Sequence, residues 1–387
     1  MSFRWIIQDP SPERVGGTLT LAPIGRQFRD LRRATKKWAA RAVGAVLVAG
    51  AAAALSLAFA WRFPTPPDVP DPNEPRRHAL PESPRLRYET DLRRLSPHHL
   101  GVRVYGFVLD TDTQQARSNG WLTVLLDTGA TLPLATTAAV ERLRLGRDKA
   151  RAIPVRSFAG ALSSLDPLPA NEVFLISTES FAEPGAVLTP VKYITPTAFE
   201  GVDVIVPPSA LAPIGGAVRI DFRQDRFTIC ESIAACTKGT GWHLSAESKC
   251  YTDEQLVGID ARVGRLNGHF MLDLGGVTLI SQQAYEASGI MPSAAPQKAS
   301  LLGSDRKARD AHRLVGPFPA LLGSRAGVKI QIPRFWLLDD PVTRQASTCF
   351  DSGSLGTEAL ANCELVLSQH LPRQGMLRCG TPPDEPE

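Results

Sequence analysis

From about Leu95 to Cys379 the apolar positions fall in short runs: "GVRVYGFVL", "WLTVLL", "NEVFLIS", "AVRIDF", "RFTIC", "GHFMLDL", "VKIQIP", "RFWLL" and "CELVLS". Runs of this length, rich in β-branched and aromatic residues and bounded by Gly, Pro and Asn, predict strands, and their number predicts an all-β or β-dominated body. Helical periodicity is clear over Thr136 to Leu145, which predicts one short helix there. Two dipeptides, Asn119-Gly120 and Asn267-Gly268, sit just before apolar runs and predict tight hairpin turns.

One apolar run is of another kind. Ala42 to Trp61 contains no charged residue, and roughly 20 residues at about 1.5 Å each cover the ~30 Å hydrocarbon core of a bilayer. A single transmembrane helix is therefore expected over residues 42–61. The segment before it, residues 1–41, carries Arg4, Arg14, Arg26, Arg29, Arg32, Arg33, Lys36, Lys37 and Arg41 against Asp9, Glu13 and Asp30. Basic residues stay on the cytoplasmic side, so the chain is expected to be single-pass in the inner (cytoplasmic) membrane, N-terminus in the cytoplasm and body in the periplasm. The alternative is a signal peptide cleaved after the small residues Ala58 to Ala60, although both the apolar run and the segment before it are long for one. Arg62 to Arg87 is rich in proline and reads as an extended spacer. The expected organisation is a basic segment at 1–41, the span at 42–61, a linker at 62–95, and two halves of one body at 96–238 and 239–387.

Composition changes this picture little. With 387 residues, 43% of them hydrophobic, the chain has enough apolar material for a large core. The net charge of +4 is small and gives no reason to expect a nucleic-acid partner. All six cysteines, Cys230, Cys236, Cys250, Cys349, Cys363 and Cys379, lie beyond the apolar span, as an oxidising compartment permits. Their pairing is open, with Cys230 and Cys236 the nearest local pair. No Cys-x-x-Cys or His-x-x-x-His spacing occurs, so neither metal nor cofactor is expected.

The body is written twice. "NGWLTVLLDTGATLPLATTAAVERL" from Asn119 and "NGHFMLDLGGVTLISQQAYEASG" from Asn267 each give an apolar strand, an Asp-x-Gly, more apolar residues and a short helix. Asp127 falls opposite Asp273. Further on, "VDVIVPPSALAPIGGAVRIDFRQDRFTIC" from Val202 answers "SGSLGTEALANCELVLSQHLPRQGMLRC" from Ser352, with Ala210-Leu211 and Ala359-Leu360 at nearly the same offset. Two long parallel sets of features at one offset mark an internal repeat.

On these residues the chain, from about Gly101 to Cys379, resembles the retropepsin-like and pepsin-like aspartic peptidases. The resemblance implies a two-lobed acid-protease-like β-barrel fold with pseudo-twofold symmetry. It also implies an aspartic endopeptidase whose dyad, Asp127 and Asp273, activates water to hydrolyse a protein or peptide substrate. One aspartate must be ionised and its neighbour protonated, and repulsion between them pushes their pKa values apart. Thr128, Gly129, Ala130, Gly275 and Gly276 would support the two catalytic loops. With both aspartates in one chain a monomer suffices. The position after Asp-Thr-Gly usually carries a hydroxyl in the pepsin branch. Here Ala130 and Gly276 supply none, which implies a pH optimum nearer neutrality.

Two departures stand out. Leu274 occupies the place of a Thr or Ser, and Pro207 the place of a glycine that Gly356 keeps in the second half. These leave open an alternative: a catalytically inactive periplasmic peptide-binding or scaffold protein with the same cleft. Asp351, in "CFDSGSLG", is an alternative second aspartate with the better literal motif, but few residues follow it in which to rebuild a half. Flap hairpins that close over substrate are expected around Phe158, Ala159 and Gly160, and around Leu302 and Gly303. Asp110 and Asp112 are expected to cap a hairpin, and His98 and His99, at the linker edge, to be solvated.

Overall fold

The computed structural model describes residues 6–7 and 86–380, apart from 114, 157–161, 179–186, 197–199, 239–242, 247–255, 303–307, 324–326, 339–349, 351 and 369–374. Among these the structure is β-dominated, as the short apolar runs predict. No helix of the described residues is long and apolar enough to cross a membrane, and the expected span at 42–61 lies outside them.

The strands in chain order are β1 (Ile6–Ile7), β2 (Leu86–Asp91), β3 (Arg93–Ser96), β4 (His99–Asp110), β5 (Gln115–Leu126) and β6 (Leu134–Ala135), followed by helix α1 (Thr137–Leu143). Next come β7 (Ile153–Arg156), β8 (Leu162–Pro167), β9 (Glu172–Ser177), β10 (Thr189–Val191), β11 (Tyr193–Ile194) and β12 (Val204–Val206). A 3-10 turn at Pro208–Leu211 leads to β13 (Ala217–Asp221), β14 (Arg226–Cys230), helix α2 (Ile233–Cys236) and β15 (His243–Ala246). The second half has β16 (Gly258–Val263), β17 (Leu266–Leu272), β18 (Leu279–Ile280), α3 (Gln282–Ser288), β19 (Gln297–Leu302), β20 (Ala308–Leu322) and β21 (Val328–Leu338). It ends with β22 (Gly353–Leu355), a 3-10 turn at Thr357–Leu360, β23 (Cys363–Ser368) and β24 (Gly375–Cys379).

Three sheets result. The first half pairs in the order β7-β8-β11-β6-β12-β5-β4-β9-β10, and the second in the order β16-β17-β22-β18-β21-β20-β19. An added pairing of β16 with β20 closes six of the latter strands into a barrel. The third sheet, β15-β24-β23-β13-β14-β2, takes strands from both halves, β13 lying antiparallel to β23. Two disulfides tie its margins. Cys230–Cys236 is the local pair expected from spacing, and Cys363–Cys379 joins directly opposed residues of β23 and β24. Cys250 and Cys349 lie outside the described residues.

The core explains why β5 reads as a continuous apolar run rather than an alternating one. Leu122, Val124 and Leu126 face the main core, which Leu272, Leu274, Val204 and Val206 share. Leu125 faces the other way into a smaller cluster with Ala130, Leu134, Leu165 and Ile205. A strand covered on both faces loses the period-two signature of a half-exposed one. The runs "VKIQIP" and "RFWLL" merge into the one strand β21. Its Pro333 stands opposite the bulge between Val315 and Phe318, where the ladder asks for no N–H.

Three expectations are corrected. Both Asn-Gly pairs lie inside strands: Asn119 and Gly120 pair with Phe107 and Gly106, and Asn267 and Gly268 with Arg262 and Ala261. The hairpin turns come earlier. In the first half the turn follows Asp110, whose Oδ1 accepts from the backbone N–H groups of Asp112 and Thr113 at 2.9 and 3.1 Å. In the second it is made by Gly264, whose φ of 57° is the left-handed conformation such a turn requires. The spacer expected to reach residue 95 is already strand from Leu86, and the buried Glu89 of β2 accepts from Arg226 and Thr228 of the neighbouring strand. The histidine pair, expected to be solvated, is treated with the site below. The expected helix forms as α1, closed by Arg144 in the left-handed conformation.

Candidate active site

The two aspartates arrive by the same local route. Strand β5 runs parallel to β12, and just past its end Asp127 N–H donates to the Val206 carbonyl at 2.9 Å. Strand β17 runs parallel to β22, and Asp273 N–H donates to the Leu355 carbonyl at 2.9 Å. Each loop then turns back on its own aspartate, through Ala130 N–H to Asp127 O and Gly276 N–H to Asp273 O, both at 3.2 Å. Short strands follow, β6 antiparallel to β12 and β18 antiparallel to β22, then the helices α1 and α3. The Ala-Leu pairs recognised as repeats occupy the two 3-10 turns that follow β12 and β22.

Both carboxyl groups are fully buried. The Asp127 carboxyl interacts with the neighbouring Asp273 carboxyl, and two acids buried in one site are most stable with a single proton shared between them. Burial, and then the neighbouring Asp273 charge, hold the Asp127 carboxyl well above the usual aspartate range. A hydrogen bond from Gly129 N–H to Asp127 Oδ1, 2.7 Å, acts in the opposite sense by favouring the ionised form.

The loop residues divide the remaining work. Thr128 Oγ1 donates to the Leu272 carbonyl at 2.7 Å and accepts from Leu274 N–H at 3.0 Å, so one hydroxyl braces the opposite loop at two points. Leu274 has no hydroxyl to return the contact and packs its side chain into the main core instead. Gly275 is forced to be glycine, because a Cβ there would overlap the Asp127 carboxyl group. Ala130 faces the smaller apolar cluster, and Gly276 stacks its carbonyl against Gly356, where a Cβ would likewise collide. The Pro207 departure has a local partner. Gly356 N–H donates to Thr278 Oγ1 at 3.1 Å in the second half, whereas the first has Leu132 in place of that threonine and Pro207 has no N–H to donate. Donor and acceptor are missing together, so no buried group is orphaned.

Of the flap residues expected from sequence, Leu302 alone is among the described residues. Strands β7 and β8 pair antiparallel on either side of residues 157–161, so Phe158, Ala159 and Gly160 fall at a connection outside the described residues. Leu302 ends β19, which pairs with β20, and Gly303 follows it outside the described residues. Asp351 lies outside them too, while Gly353–Leu355 form β22, the strand that corresponds to β12 rather than to an aspartate-bearing strand. An apolar cavity of about 410 Å³ opens beside the first loop, lined by Leu132, Pro133, Leu188, Tyr193, Ala210 and Ile214 among others. Among the described residues, no group of His, Cys, Asp or Glu side chains is placed to hold a metal ion.

His98 and His99 are not solvated tail residues. They end the β3–β4 hairpin and both reach the second half. His99 Nε2 lies 3.0 Å from the Gly275 carbonyl and its Nδ1 2.9 Å from Ser96 Oγ. His98 Nδ1 lies 3.6 Å from a Glu358 carboxylate oxygen, which also meets Arg334 Nε at 2.8 Å. Burial lowers the His99 pKa to about 4, so the ring is neutral at physiological pH. The signal that finds His99 is strand register. Gly101 pairs with Leu125, which sets His99 level with Asp127, but only once the turn is placed after Asp110 rather than at Asn119.

Comparison with protein-family models and with curated protein sequences finds no match to the chain.

Proposed function

We propose that the chain is an aspartic-type endopeptidase in which Asp127 and Asp273 share one proton and activate a water molecule. The observation that carries this reading is the juxtaposition itself: two carboxyl groups 146 positions apart in the sequence, both fully buried and near enough that the Asp273 charge raises the Asp127 pKa. Burying two neighbouring acids costs stability, and a structural role would be served better by an uncharged pair. In the reaction, the ionised carboxylate takes a proton from water as the oxygen attacks the scissile carbonyl. The protonated partner hydrogen-bonds the carbonyl oxygen and later passes a proton to the leaving amine. The pair titrates as a unit, so base and acid belong to the dyad rather than to fixed residues. No cofactor is required.

The repeated strand pairings around each aspartate support a two-lobed acid-protease-like arrangement with pseudo-twofold symmetry, a retropepsin dimer made in one chain. In this reading the apolar span at 42–61 anchors the body to the inner membrane with residues 1–41 in the cytoplasm, and the substrates are periplasmic or membrane-proximal proteins. The raised Asp127 pKa and the lack of a hydroxyl at Ala130 agree with activity nearer neutrality; a pH-rate profile peaking below about pH 3 would contradict this.

The test is cleavage of a mixed peptide library by the full-length protein in detergent, with and without pepstatin, and by Asp127→Asn. Turnover that is lost in the variant supports the peptidase. Tight peptide binding with no turnover in the unaltered chain overturns it in favour of a binding protein that uses the same cleft.

A further inference from the structure

We propose that His99 is a positioning residue for the carboxyl pair, holding the Gly275 peptide against Asp127 from the opposite half of the chain. Its effect on turnover rests on the peptidase reading, whereas its effect on the carboxyl groups rests on geometry alone.

The second loop, Leu272 to Gly275, has no hydroxyl of its own, and within its half Thr357 Oγ1 donates to the Leu274 carbonyl at 3.3 Å. The first half adds three hydrogen bonds to it: two through Thr128 Oγ1, and a third from His99 to the Gly275 carbonyl. A carbonyl can only accept, so His99 Nε2 carries the proton. Nδ1 of the neutral ring then accepts from the Ser96 hydroxyl, whose oxygen in turn accepts from His98 N–H at 3.1 Å. A relay of fixed polarity thus runs from the β3–β4 turn through His99 to Gly275, whose Cα lies directly against the Asp127 carboxyl. The second half has no equivalent: Gly258 pairs with Met271, which sets the fully buried Leu256 level with Asp273.

Among the described residues, the charged or titratable groups around this hairpin include His98 beside it, Glu358 on the 3-10 turn, Arg334 and Arg313 from the barrel, the carboxyl pair itself, and on β3 Arg93 and Arg94, the latter paired with Asp225 at 2.7 Å. Protonating His99 leaves Nε2–H in place, so the brace survives acid and is no switch. Its loss acts on the pair instead. If Gly275 drifts from Asp127, water reaches the carboxyls or the two separate, and both effects lower the upper apparent pKa.

The experiment compares full-length wild type, His99→Leu and His99→Gln by kcat, KM and carboxyl titration. The titration uses 13C NMR of aspartate-labelled protein, with the pair assigned through Asp127→Asn and Asp273→Asn. Glutamine can place an amide N–H where Nε2 stands; leucine cannot. The expected result is a fall in kcat of about 10- to 100-fold in His99→Leu, with KM within about two-fold and recovery to within about three-fold in His99→Gln. In parallel, the upper apparent pKa falls in His99→Leu and not in His99→Gln. Equal rates and equal titrations in the two variants overturn the proposal. Should His99→Leu fail to fold, His99→Asn replaces it, since the shorter amide reaches Ser96 but not Gly275. A wild type that cleaves nothing while its titration responds to His99 sinks the peptidase reading alone. Turnover with a titration indifferent to His99 sinks the positioning role alone.

Discussion

Thr128 and Leu274 face each other across the pair with one hydroxyl between them: Leu274 N–H donates to Thr128 Oγ1 at 3.0 Å, and the same oxygen donates its proton to the Leu272 carbonyl at 2.7 Å. Thr128 is 3% exposed, so neither backbone group can turn to water if the hydroxyl is removed. Thr128→Val keeps the shape and orphans a buried donor and a buried acceptor, which costs about 2–4 kcal/mol. Thr128→Ser keeps the hydroxyl and is expected within about 1 kcal/mol of wild type. Urea unfolding of both variants checks the difference, and an equal midpoint shift would mean that the hydroxyl bears no load.

Ionisation of the pair has a sign that stability measurements can read. The folded-state pKa of Asp127 is raised. Between the ordinary aspartate pKa and that raised value, the folded chain therefore binds more protons than the unfolded one. Stability contributed by this group is full at pH below the unfolded value and falls as pH rises through the window. Asp127→Asn removes the acid while leaving an amide that can donate to Asp273. It is expected to abolish turnover yet raise stability at pH 7 by on the order of 1 kcal/mol, with the gain shrinking towards zero near pH 3. Thermal unfolding of wild type and variant at the two pH values tests this; a variant less stable than wild type at pH 7 contradicts it.

How much of this was legible beforehand depended on where local pattern and tertiary context agreed. The strands around Asp127 and Asp273, α1 and the Cys230–Cys236 bridge follow from apolar runs and spacing, because in each the local preference matches the final environment. The Asn-Gly dipeptides misled, since that turn signal was overridden by a longer hairpin in which Asn119 and Gly120 extend β5. That error also hid His99, whose place beside Asp127 is a matter of register and not of any motif. Strand β2 was hidden for another reason: Leu86–Asp91 adds to a sheet whose other members come from both halves, so no neighbouring sequence announces it.

The choice of second aspartate is open to a direct comparison. Asp273 directly follows β17 as Asp127 directly follows β5, whereas Gly353–Leu355, just after Asp351, form the supporting strand β22. On the peptidase reading, Asp273→Asn is expected to lower kcat/KM by at least about 1,000-fold, because it removes one of the two acids that would move the proton. Asp351→Asn is expected to leave it within about three-fold, an effect of under about 1 kcal/mol. Loss of activity in Asp351→Asn alone would move the dyad and undo the correspondence between the two halves.

Gly275 gives the sharpest steric test of the pair's environment. An added methyl there has nowhere to go, since it would overlap the Asp127 carboxyl, which is itself held by Gly129 N–H. One of the two loops must retreat, opening the carboxyl contact and straining the Thr128 and His99 hydrogen bonds at once. Gly275→Ala is therefore expected to cost about 1–3 kcal/mol as an overpacked site, and to lower kcat at least about 100-fold through misplacement of the carboxyls. Gly120→Ala is the matched control: it lies in β5, and a Cβ there meets nothing within 4 Å. Alanine at that position is expected within about 0.5 kcal/mol of wild type, with turnover unchanged. Chemical denaturation and steady-state kinetics on the two variants decide the point. If Gly275→Ala folds and turns over like Gly120→Ala, the backbone of the second loop does not press on Asp127.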